Sequence, residues 1–237
     1  MQNMYRQQSL ITLDQFYEMK PLSKLEAILS FIDYSLFEEI FPYDAHKRGP
    51  KGYSKKQLFT TLMAMPIEQL SDIKALVIRL KSDPVLRRSL GYDYTNDTPS
   101  AATLNRFITL LSGTDILERT FRRMVCKARK LGLIDGTNVA IDASKLTAYE
   151  HAVPKSRIPV DDPSFPNWGG KLDTNGNFIK WFGWKMHALV DTYSGLPISY
   201  IITPANIADM DVAENLIQKM MDDYENGLTP KYYMMDA

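Results

Sequence analysis

The chain has 237 residues, 45% of them hydrophobic, with 28 Lys and Arg balanced by 28 Asp and Glu and a single cysteine. This is ample for one large core or two modest ones, while one Cys126 excludes an internal disulfide framework and three scattered histidines (His46, His151, His187) do not suggest a zinc site. No stretch resembles a signal peptide or approaches the length of a membrane span, so the expectation is a cytoplasmic protein with no membrane partner.

The neutral total hides an asymmetry. Residues 1–131 hold 20 Lys/Arg against 14 Asp/Glu, a net of +6, and residues 132–237 hold 8 against 14, a net of −6. A basic half joined to an acidic half suggests a polyanion-binding module attached to one that gathers carboxylates or metal ions.

The front half reads as helices. "SKLE" at Ser23 to Glu26 has capping-box spacing, and Leu25, Ile28, Leu29 and Ile32 follow at helical intervals, predicting a helix that starts near Ser23. "SKKQ" at Ser54 to Gln57 repeats the device, with Leu58, Leu62 and Met65 on one face until Pro66 interrupts. Leu70, Ile73, Val77 and Leu80 form the next stripe, "SDP" at Ser82 to Pro84 marks a stop and restart, and Gly91 ends the short piece. Thr98 offers a cap before Pro99, with Leu104, Phe107, Ile108 and Leu111 on one side of the helix that follows.

The last predicted helix of this half, Asp115 to about Lys130, turns Leu117, Phe121, Met124, Val125 and Ala128 inward, and Cys126 reads as a small buried residue. Its other positions carry Arg119, Arg122, Arg123, Lys127, Arg129 and Lys130. Six cations within twelve residues form either a phosphate-contacting surface or a solvated helix face. The short helices before it resemble a helix-turn-helix array, although spacing alone identifies no recognition helix.

After Leu131 the apolar period changes from helical to extended, and Gly132, Asp135 and Gly136 punctuate the change, which places a domain boundary between 131 and 132. "NVAIDAS" is a short strand containing Asp142, an acid that must be paired, protonated or metal-bound if buried, or else begins a turn with Ser144. Residues 145 to 182 read as a long loop or loose hairpin. "GWKMHALVD" alternates as a half-buried strand, with Lys185 and His187 on one face, open to phosphates or simply solvated.

"PISYIIT" makes the antiparallel partner of that strand. A helix from Asp209 or Asp211 then buries Val212, Leu216, Met220 and Tyr224 before Gly227, and "KYYMMD" suits an interior parallel strand covered on both faces. Strand, strand, strand, helix, strand is the predicted order.

That order, with one acid on the first strand and Asp236 at the end of the fourth, looks like the start of an RNase H-like fold. "VAIDASKLTAYEHAVPKSR", "WFGWKMHALVDT", "PANIADMD" and "MMDA" are similar, in order and wording, to bacterial insertion-sequence transposases of the Asp-Asp-Glu type. "LFEEIFP", "GYSKKQLF" and "TPSAATLNRF" resemble the N-terminal domain that accompanies that catalytic domain. The resemblance implies an all-helical, DNA-binding domain over 1–131 and an incomplete RNase H-like α/β domain with a mixed sheet over 132–237.

It also implies Asp142 and Asp236 as catalytic, metal-holding acids, with Mg²⁺ (or Mn²⁺) as cofactor. The implied partners are double-stranded DNA, both the terminal inverted repeats and the target, with a homodimer an open option and a nucleoid location in the cytoplasm. The family's third acid, a Glu beyond the second Asp, finds no counterpart before Ala237. The expectation is therefore a truncated, inactive fragment of marginal solubility or partner dependence. The competing expectation is a non-catalytic DNA-binding protein or repressor, acting through the basic helix.

Overall fold

The computed structural model describes residues 12–42, 52–93, 97–159, 162–172, 175–224 and 228–235. The chain divides into two compact units, Met1–Thr120 and Phe121–Ala237. No helix among the described residues is long and apolar enough to cross a membrane.

The first unit is helical: α1 (Leu13–Met19), α2 (Lys24–Phe31), α3 (Ser35–Ile40), α4 (Lys55–Ile67), α5 (Ile73–Ser82), α6 (Pro84–Ser89), α7 (Ala101–Ser112) and the first turn of α8 (Ile116–Lys130). Both predicted capping boxes form. Ser23 Oγ accepts from the Glu26 amide while Glu26 Oε2 accepts from the Ser23 amide at 2.8 Å, and Ser54 and Gln57 exchange the same pair of bonds. The apolar stripes meet in one core, in which Leu36, Leu76, Leu80 and Leu104 are fully enclosed. Glu26 joins distant segments as well, accepting from Ser89 Oγ at 2.7 Å.

Three local expectations shift. Pro66 lies inside α4 rather than ending it, because the Glu68 amide still reaches Ala64 O at 2.8 Å and closes the last turn. Ser100, not Thr98, caps α7, its hydroxyl accepting from the Thr103 amide at 3.2 Å, and Ile108 on that helix is exposed. The short α3 has no side-chain cap to announce it; it forms because Leu36 and Phe37 enter the core, with the Phe37 and Phe59 rings 4.6 Å apart.

On α8, Leu117 and Met124 are exposed, and the buried positions are Ile116, Thr120, Val125 and Ala128. Two neighbouring stripes of one helix satisfy the same period, and only packing chooses between them. Cys126 is exposed on this helix, not buried.

The second unit holds the end of α8, the strands β1 (Asn138–Thr147), β2 (Asn167–Leu172), β3 (Phe178–Asp191), β4 (Pro197–Pro204) and β5 (Tyr232–Met235), a 3-10 turn at Lys155–Arg157, and α9 (Asp209–Asp223). The sheet is mixed. β3 is long enough to serve three partners: Phe178–Gly183 pairs antiparallel with β2, Gly183–Asp191 with β1, and Trp184–Val190 with β4. β5 lies parallel to β1, from Asn138 opposite Tyr232 to Ile141 opposite Met235. A helical part followed by an α/β part with a mixed sheet is the class expected from the sequence.

The stretch read as a long loop or loose hairpin contains β2 and the first half of β3, joined by a turn in which Gly176 takes a φ of +81°. The expected helix forms as α9 and buries Val212, Leu216 and Met220, with Tyr224 just beyond its end also buried; Gly227 lies outside the described residues. Val139, Ile141 and Leu189 of the sheet meet Leu216 and Met220 of α9 and Val125 and Ala128 of α8 in the second core.

β5 departs from the expectation of an interior strand. Tyr232, Tyr233, Met234 and Met235 are 65%, 37%, 51% and 37% exposed, because the strand pairs with β1 along one edge and the described residues cover neither of its faces fully.

Candidate active site

Asp142 sits on β1 opposite Ala188 of β3. Strand alternation turns it away from the core that takes Val139 and Ile141, so its side chain is exposed. Its Oδ1 accepts a hydrogen bond from the Ala143 amide at 2.7 Å. Asp236 lies outside the described residues. Among the described residues no group of three or more His, Cys, Asp or Glu is gathered about one point. An exposed carboxylate at the middle of a strand is a suitable hard-oxygen donor for a divalent cation, so the chemistry of Asp142 fits the metal that the family resemblance implies.

His187 is buried and Lys185 half-buried, and both lie beside Asp209. His187 is 1% exposed, its Nε2 is 2.9 Å from Thr203 Oγ1, and its Nδ1 is 3.6 Å from Asp209 Oδ1. Lys185 Nζ donates to Asp209 Oδ1 at 2.9 Å and to Ile207 O at 3.0 Å. Asp209 is the first residue of α9, so the two basic side chains fasten the start of that helix to β3. Burial holds the His187 pKa below its ordinary value; the Asp209 carboxylate pulls it up, and Lys185 pushes it down again. Strand alternation put the two side chains on one face, but only the packing of α9 revealed that this is the covered face.

The basic residues of α8 are partly occupied. Arg119 Nη2 lies 2.7 Å from Glu39 Oε1, and Arg122 Nη1 lies 3.0 Å from Asp223 Oδ1. Arg123 and Arg129 are half-buried, while Lys127 and Lys130 are exposed. The stretch is thus a mixture of ion-paired and solvent-facing cations.

Two features escaped sequence reading. Asp191, at the end of β3, is 1% exposed; its Oδ1 accepts from the Gly136 amide at 2.8 Å, and its Oδ2 from the Ser194 amide at 2.8 Å and hydroxyl at 2.7 Å. Burial raises its pKa, yet these donors outweigh the burial and hold it below the ordinary value. The "DTYSG" turn carried the signal, since an acid three residues before a Ser–Gly pair suits an Asx-type turn. The second is a pocket of about 480 Å³ lined by Pro154, Lys155, Trp168, Gly169, Gly170, Phe178 and Lys180, which only the β2–β3 pairing assembles.

Residues 128–237 match the family model described as Transposase DDE domain, and residues 11–110 match Transposase domain (DUF772). Neither the curated proteins nor the solved structures gave a match. The two matched segments account for both units of the chain in order, a helical one and then one bearing Asp142 on the first strand of a mixed sheet. The chain belongs to the insertion-sequence transposases of the Asp-Asp-Glu type.

Proposed function

We propose that the chain carries two of the acids for metal-dependent phosphodiester cleavage and strand transfer at the ends of its element, Asp142 and Asp236. The carrying observation is the parallel ladder of β1 with β5, whose last described pair is Ile141 with Met235. In the sequence an aspartate follows each member of that pair, Asp142 after Ile141 and Asp236 after Met235. Residues opposite one another on parallel strands lie about 4.8 Å apart, close enough for two carboxylates to share one ion.

The residues that would hold Mg²⁺ or Mn²⁺ are these two aspartates. When bound, the cation supplies positive charge that activates the attacking oxygen and stabilises the leaving one in an in-line displacement. The protein's own part is to keep Asp142 on a strand that cannot swing, between β3 and β5, with Oδ1 oriented by the Ala143 amide. The partner is double-stranded DNA, the terminal inverted repeats and the target, engaged by the helical region 1–131 and by cations of α8 such as Lys127 and Lys130, with residues 132–237 as the catalytic part. A homodimer bridging two element ends suits this chemistry. No residue is assigned to the family's third acid.

Mn²⁺ titration followed by electron paramagnetic resonance tests the paired acids. Asp142→Asn and Asp236→Asn should each weaken binding by roughly tenfold or more, since each removes one charged oxygen ligand. In cleavage assays with an extended relative that carries the third acid, Asp142→Asn should abolish nicking and leave duplex binding nearly intact. Unchanged Mn²⁺ affinity in both variants would remove the two aspartates from the site.

A further inference from the structure

The pocket on the β2–β3 hairpin has two kinds of wall. Trp168 and Phe178 supply aromatic surface, and Gly169 and Gly170 leave the strand bare between them. A Cβ at Gly170 would overlap the Phe178 ring, so this glycine lets the ring lie directly against the backbone. Trp168 is fixed rather than free. Its Nε1 donates to Val153 O at 2.8 Å, which ties the hairpin to the loop that carries Pro154 and Lys155, and its ring centroid is 5.5 Å from that of Phe182.

The charged lining is of one sign. Lys155 and Lys180 line the pocket, and neither is in an ion pair with a described residue. Lys180 Nζ stands 5.9 Å from the centre of the Phe178 ring. Phe178 itself is 60% exposed, so its ring is open to a ligand.

We propose that this pocket binds one unpaired nucleobase of a DNA strand, stacked on Phe178 and Trp168, with Lys155 and Lys180 on the flanking phosphates. The proposal rests on the reading of the chain as a DNA-cleaving transposase, which supplies the ligand class. Flat apolar walls with cations at the rim are what a base and its backbone require, and every base offers a π-face, so recognition is sequence-tolerant. A volume of about 480 Å³ is in the range of small-molecule pockets. Bases inside a duplex are stacked on their neighbours and cannot enter, so the ligand is a base that the duplex has released.

Fluorescence anisotropy on the full chain tests the pocket with three probes: a short oligothymidylate, the same sugar-phosphate chain without bases, and a blunt duplex. The wild-type protein should prefer the oligothymidylate over the baseless chain by roughly tenfold. Phe178→Ala should abolish that preference without changing duplex affinity, and Phe178→Tyr, which keeps the ring, should retain it. Lys155→Gln with Lys180→Gln should weaken both single-stranded probes and flatten their salt dependence by about 1.4 in the log–log slope. If duplex binding is present but there is no base preference, or if the preference survives Phe178→Ala, the pocket proposal is overturned and the transposase reading stands. Failure to bind any of the three probes overturns both.

Discussion

Arg122 Nη1 lies 3.0 Å from Asp223 Oδ1, an ion pair that joins α8 to the end of α9. Asp223 has a second partner, Lys219, at 3.3 Å. Arg122 was a natural candidate for a phosphate contact on sequence grounds, yet its charge is already engaged within the second unit. A double-mutant cycle with Arg122→Ala and Asp223→Ala in urea unfolding should give a coupling of about 0.5–1 kcal/mol, the range of partly exposed pairs. In DNA titrations Arg122→Ala should leave the salt slope nearly unchanged, whereas Lys130→Ala, at an exposed position, should lower it by about 0.9. A loss of slope on replacing Arg122 would show that the pair opens to DNA.

Gly183 is where β3 changes partners, opposite Thr147 of β1 and Asn167 of β2. A Cβ there would overlap Leu146 O and come within 2.6 Å of the Ala148 amide nitrogen, both backbone atoms that cannot rotate aside. Gly183→Ala should therefore destabilise the second unit by about 3 kcal/mol through overpacking. Thermal melts followed by circular dichroism read this directly; a cost below about 1 kcal/mol would mean that the crossing strands shift easily.

Acid should weaken the first unit through Glu26. Burial raises its pKa, but hydrogen bonds from the Ser23 amide, the Ser89 and Ser23 hydroxyls and Lys20 outweigh burial and hold it at about 2, against 4.5 for the free side chain. A depressed folded-state value means that the stabilisation is complete above pH 4.5 and lost as pH falls from there toward about 2. Glu26→Gln should flatten the pH dependence of the urea midpoint in that window. An unchanged profile would show that the hydrogen bonds do not favour the ionised form.

His187 sets a second window. Its folded-state pKa is held below the ordinary 6.5 by burial, with Asp209 opposing and Lys185 assisting. Stability contributed by the neutral ring is present above pH 6.5 and declines as pH falls through that value toward the lower folded one. His187→Gln, which can still bond Thr203 but does not titrate, should remove this decline. The opposite result, a stability rising as the pH drops below 6.5, would mean that pairing with Asp209 outweighs the burial.

The elements the sequence announced best were those with local chemistry at both ends. Ser23 with Glu26 and Ser54 with Gln57 signal their helices by hydrogen bonds that need no distant partner. The alternation along Trp184 to Asp191 likewise marks a strand without knowledge of its neighbours. Thr98 was the wrong cap because Ser100, two residues on, satisfies the same rule.

What the sequence by itself determined is the class of most segments and the order of the helical and α/β parts, because periodicity, caps and short motifs are properties of adjacent residues. Only the tertiary structure decided which face of β3 is covered, which cations of α8 are already paired, and that Trp168 and Phe178 line one pocket. Those outcomes depend on contacts between residues far apart in the chain, whose energies compete with one another and cannot be read one segment at a time.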